Sequence, residues 1–118
     1  MIESKKVVTA IAAHEQWKSR IQDAIVHGTS EYKPEIVATN NSCELGKWLL
    51  ADTQVAQDPN FPKIQSLHNE FHKEAGRILA MALQGKSAEA EKLLEHGAKF
   101  DRLSSDLKAI LRSLIPFP

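Results

Sequence analysis

The 118-residue sequence predicts an all-α fold, an antiparallel four-helix bundle of three long helices and one short one, within a single domain spanning 1–118. Three observations lead there. Apolar residues recur at intervals of three and four along nearly the whole chain, no stretch alternates in the manner of a half-buried strand, and turn-forming residues interrupt the apolar stripes at a few separated places.

The first helix is expected to bury Val7, Ile11, His14, Trp17, Ile21 and Ile25, which share one face, and to stop at Gly28. Residues 29–42, with Ser30, Pro34, Asn40 and Asn41, read as a long connection that ends in Ser42 as a candidate N-cap. A short second helix would start at Cys43 and turn Leu45, Trp48 and Leu49 inward, and Ala51 to Phe61 reads as loop. Pro62 suits the first turn of a third helix, where its missing N–H is harmless. That helix carries Ile64, Leu67, His68, Phe71, His72 and further apolar residues to Ala82 on one broad stripe, and Gly85 closes it. Ser87 is the expected cap of the fourth helix, with Glu89 and Glu91 complementing its dipole. Leu93, Gly97, Phe100, Leu103, Leu107, Ile110, Leu111 and Leu114 form its inner face, and Pro116 ends it.

Fifteen basic residues balance fifteen acidic ones, so neither net charge nor a basic stripe favours a nucleic-acid partner; the Lys5–Lys6 pair reads as a solvated helix end. No run approaches the roughly 20 apolar residues of a membrane-spanning helix. Residues 1–13 include Glu3, Lys5 and Lys6 and lack the apolar core of a signal peptide, so a cytoplasmic location is expected. The single cysteine, Cys43, allows no intramolecular disulfide, in keeping with a reducing compartment.

Three of the five histidines fall on apolar stripes. His14 lies between Ile11 and Trp17, and His68 and His72 are four residues apart, on one surface of a helix. The plainer reading of each is a buried ring hydrogen-bonded to backbone or water. Cys43 has its own plainer reading as a small buried hydrophobe. At the first turn of a helix, however, its thiolate would be favoured by the helix dipole and by a metal. Together the four residues would compose a closed tetrahedral Zn2+ site of three imidazoles and one thiolate, a ligand set unsuited to magnesium or calcium. His27 and His96 read as non-ligands.

The same residues speak against an enzyme. A zinc protease needs Glu directly after the first histidine of its pair, and position 69 is Asn. A di-iron bundle needs Glu three residues before His; Ile11, Ala24, Gln65, Asn69 and Leu93 stand there instead. Four protein ligands also leave zinc no open position for water.

His14-Glu-Gln-Trp17, Cys43-Glu-Leu-Gly46-Lys-Trp48 and His68-Asn-Glu-Phe-His72 occur in that order. This pattern resembles the chemoreceptor zinc-binding (CZB) domain family, with no departure at the motif positions. The resemblance implies a four-helix bundle that pairs as a homodimer, with His14, Cys43, His68 and His72 as zinc ligands and Trp17, Gly46 and Trp48 as their packing frame. It further implies control of a chemoreceptor signalling region or a diguanylate cyclase in response to zinc, to oxidation of the zinc-bound cysteine by hypochlorous acid, or to both. The 118 residues hold no such output region, so an attached or partner module is expected. A purely structural zinc-stapled dimerisation bundle is the alternative.

Overall fold

The first apolar stripe winds into α1 (Ser4–His27), a helix of 24 residues that spans about 36 Å. All six residues expected on its inner face are buried, joined by Ala10 and Ala24. Gly28 ends it: at φ +72 its N–H bonds the carbonyl of Ala24 at 2.8 Å, a left-handed cap that a side chain would disfavour. The computed structural model describes residues 4–39, 44–51 and 53–114. Among them every regular element is helical: α2 (Pro34–Val37), α3 (Glu44–Ala51), α4 (Thr53–Ala56), α5 (Phe61–Leu83), α6 (Ser87–Leu93) and α7 (Lys99–Arg112) follow α1.

Helix α5 is the centre of the packing. It lies against α1, α2, α6 and α7, while α1 also touches α3, α6 and α7. Its buried face carries Ile64, His68, Phe71, His72, Ala75, Ile78, Leu79 and Ala82, as the sequence stripe requires, with Leu67 half-buried. Glu74 is the unexpected member at 4% exposed, and Arg77 holds both its oxygens at 2.8 and 2.9 Å. Glu15 on α1 meets Lys108 of α7 at 3.5 Å, whereas Ile25 and Val26, further along α1, share a surface groove with Glu91, Leu94 and His96. The α6–α7 segment therefore runs opposite to α1. No helix among the described residues is long and apolar enough to cross a membrane.

Several local expectations change. The 29–42 connection contains α2, because Pro34 pre-sets a first helical turn and Val37 can bury itself on α5. The expected loop after Ala51 contains α4, anchored by fully buried Val55. Ser87 does not cap: it is the first residue of α6, Lys86 occupies the cap position, and no side-chain cap bond forms. The fourth helix is broken between α6 and α7. Gly97 adopts φ +86 there, and Asp101 accepts its N–H at 2.9 Å, so the chain turns and points both Leu94 and Phe100 inward. Ser42, Cys43 and Pro116 lie outside the described residues.

Phe100 is 2% exposed and packs 4.8 Å from Phe71, ring centre to ring centre. Phe100→Ala is expected to lower unfolding free energy by about 3–5 kcal/mol, read as an earlier urea midpoint with the urea slope unchanged.

Candidate metal centre

Two helices supply the polar groups at the centre of this core. His14 and Trp17 come from one face of α1, one turn apart, and His68, Phe71 and His72 from the inner face of α5. The His68 and His72 rings stand edge to face, 4.5 Å between centres, and His14 lies 5.9 and 6.1 Å from them. One nitrogen from each of the three lies within 4.8 Å of the other two. All three rings are buried, at 1%, 1% and 0% exposed. Phe71 sits against His14 at 3.9 Å and closes the space beneath the cluster.

Hydrogen bonding differs sharply among the rings. His72 Nδ1 is 2.8 Å from the carbonyl oxygen of Val37. A carbonyl only accepts, so Nδ1 carries the proton and Nε2 keeps its lone pair. Both nitrogens of His14 are buried without a hydrogen-bond partner, and so is the indole Nε1 of Trp17. Each such group costs on the order of 1–3 kcal/mol when left unsatisfied. An ion bound at the cluster would satisfy one His14 nitrogen directly.

The electrostatics favour the ligand form of each ring. Burial pushes His14 down to about 3, and positive charge on His68, His72 or Lys108 would push it the same way. His68 also falls to about 3, through burial and then His72. Burial lowers His72 as well, against the bond to Val37, which raises it. Neutral imidazoles, with no carboxylate joining them among the described residues, suit zinc and poorly suit magnesium or calcium. Nitrogens on a tetrahedral zinc stand about 3.4 Å apart, so each pair here is at most about 1.5 Å wider than that spacing. The residues fit a zinc ion.

Among the described residues, the structure thus brings together three of the four residues expected to bind zinc. The fourth, Cys43, lies outside them, directly before α3, which packs on α1. Gly46 and Leu49 of α3 are buried and Trp48 is half-buried against the core. His27 and His96 are exposed and remote from the cluster; His96 instead faces Asp101 at 3.3 Å. Sequence reasoning missed the Val37 carbonyl and the glycine that lets it approach. Gly76 is buried in mid-helix, and a Cβ there would stand 2.9 Å from the Pro34 oxygen. Two signals were available: a glycine inside a long helix, and the Pro34-Glu35 opening of α2.

The depressed histidines make stability depend on pH. Unfolded, each ring titrates near 6.5, so between about 6.5 and 3 the unfolded chain binds more protons and acid favours it. For metal-free protein, His14 and His68 should each cost about 2 kcal/mol at pH 5 relative to pH 8. Urea midpoints across that range should fall with acid, and the curve should flatten in a His14→Gln/His68→Gln double variant.

A family model described as the chemoreceptor zinc-binding domain matches residues 14–79, more than half of the chain and the whole interval from His14 through His72. No curated protein and no solved structure matches it. With three buried, neutral imidazoles convergent inside the matched region, the chain belongs to the chemoreceptor zinc-binding domain family.

Proposed function

We propose that this domain is a zinc-dependent sensory and regulatory module, not an enzyme, in which His14, His68 and His72 bind one zinc ion and Cys43 completes the site. The observation that carries the reading is the buried triad itself: three uncharged rings from two helices, one with neither nitrogen hydrogen-bonded. His72 would bind through Nε2, since its Nδ1 proton is engaged by Val37.

The input is zinc availability, oxidation of Cys43 by hypochlorous acid, or both. In the oxidation the thiolate sulfur gains the oxygen as sulfenic acid, while the oxidant is reduced and leaves as chloride. A sulfenic acid is a poor ligand compared with a thiolate, so the reaction weakens the site. The output is a chemoreceptor signalling region or a diguanylate cyclase, attached or supplied by a partner, in the cytoplasm. α1, α3, α5 and the broken α6–α7 segment form the four members of the proposed bundle, which pairs as a homodimer. Family membership supports the receptor association; the arrangement of buried apolar faces supports the bundle.

Zinc-loaded protein should contain one zinc per chain by elemental analysis, with absorption fine structure indicating three nitrogen neighbours and one sulfur. His68→Ala or Cys43→Ser should weaken binding by well over tenfold in a chelator competition and leave the far-ultraviolet circular dichroism helical. Zinc uptake unaffected by His68→Ala would sink the assignment, and sulfur missing from the zinc shell would remove Cys43. Collapse of helicity on zinc removal would favour a purely structural zinc staple. Sedimentation at tens of micromolar should give a dimer, a range of the order in which modest interfaces associate.

A further inference from the structure

We infer that Gly76 is a positioning residue for the metal centre, and that α2 is a strap whose docking and metal occupancy strengthen one another. The inference rests on the metal-binding reading above.

Gly76 lies one turn beyond His72 on α5. A Cβ placed on it would meet Ala38 Cβ at 2.9 Å, the Pro34 oxygen at 2.9 Å and Ala38 Cα at 3.1 Å. Two of these three atoms are backbone and cannot swing aside, so any side chain at position 76 pushes α2 away from α5. The same close approach sets the Val37 oxygen 2.8 Å from His72 Nδ1. The absent side chain at 76 and the orientation of the ligand ring at 72 are thus one geometric fact.

The strap has a second anchor. The Tyr32 ring packs 5.2 Å from that of Trp17, and the Arg20 guanidinium lies over both, 4.6 Å from Trp17 and 4.9 Å from Tyr32. Trp17 in turn stands edge-on to His72 at 5.9 Å. Residues 32–37 are therefore fastened at one end to Trp17, which borders the cluster, and at the other to His72, which belongs to it. Between the anchors, α2 is only four residues long, and a single helical turn has too few bonds to hold itself together. Its position depends on what it docks against.

That dependence links it to the metal. Val37 fixes the proton on Nδ1 and so presents Nε2 to an ion. An ion on Nε2 draws electron density from the ring and makes Nδ1–H a stronger donor to Val37. Coupling of this kind is reciprocal: whatever factor docking adds to metal affinity, the metal adds to docking.

The test uses wild type, Gly76→Ala, Tyr32→Ala and Leu114→Ala; Leu114→Ala, at a buried residue just after α7, is the control for general destabilisation. Zinc affinity is measured by chelator competition, strap protection by hydrogen exchange, and the His72 tautomer by nitrogen-15 spectroscopy. In wild type, zinc should raise protection across 33–39 and His72 should carry its proton on Nδ1. Gly76→Ala should bind zinc about 10- to 100-fold more weakly, with mixed His72 tautomers and a strap no longer responsive to zinc. Tyr32→Ala should shift affinity in the same direction, and Leu114→Ala should keep wild-type affinity and tautomer. Wild-type affinity in folded Gly76→Ala overturns the inference, as it does in Tyr32→Ala should the glycine variant not fold. A wild type that binds zinc through the three histidines while 33–39 exchanges identically with and without it overturns the strap alone. A wild type that takes up no zinc through those histidines removes the metal-binding reading and the strap with it.

Discussion

A buried nitrogen must find a partner, and in this protein the core contains six imidazole nitrogens within one cluster. Helices α1 and α5 deliver His14, His68 and His72 into the buried core, beside Phe71 and Trp17. Proton binding is a poor way to satisfy them, since burial and mutual repulsion hold His14 and His68 near 3. Hydrogen bonding answers one end of His72 through Val37 but neither end of His14. The buried His14 ring thus keeps a lone pair with no hydrogen-bond partner, a condition that a borderline cation meets well. The packing of α1 on α5 and the chemistry of the centre therefore share one cause.

The surrounding structure can be understood as layers around that cluster. Phe71 separates it from the α7 side of the core and continues into Phe100. Trp17 covers the α1 side, and above it Arg20 places a cation over the indole face while Tyr32 packs at its edge. Stacking of a guanidinium on an aromatic face is worth about 0.5–1 kcal/mol near a surface. It costs the ring no hydrogen bond, so it can cover Trp17 without supplying the acceptor that the indole N–H lacks. Gly76 and α2 form a further wall, one built from backbone.

Periodicity made α1 and α5 legible because their buried residues repeat every three or four positions without interruption, and the histidines stood out as polar residues inside those stripes. Gly28 and Gly85 punctuated as read, each at positive φ. The errors came where a short-range feature competes with the pattern. Leu93 and Leu94 are adjacent, and spacing alone cannot choose between them; the left-handed Gly97 decides for Leu94 by turning the chain before α7. α2 and α4 are single turns, too short to show a period, and exist because Val37 and Val55 have a core to enter. The contribution of Val37 to the centre comes from its carbonyl, a group every residue possesses, so no side-chain pattern could reveal it. Cys43 entered as a ligand on its place at the expected start of a helix and then on motif order, and it lies outside the described residues.

The complete burial of the triad also bears on how such a site persists in evolution. Its three rings occupy positions that leucine or phenylalanine could fill at similar volume, on helix faces already apolar. Replacing buried polar groups together by well-packed apolar ones is commonly neutral or stabilising, whereas removing one partner alone is costly. A lineage with no use for the ion would thus meet a first step that destabilises and a last step that restores or improves the fold. Without an ion the unpartnered His14 ring is a cost to stability, which a bound ion would offset.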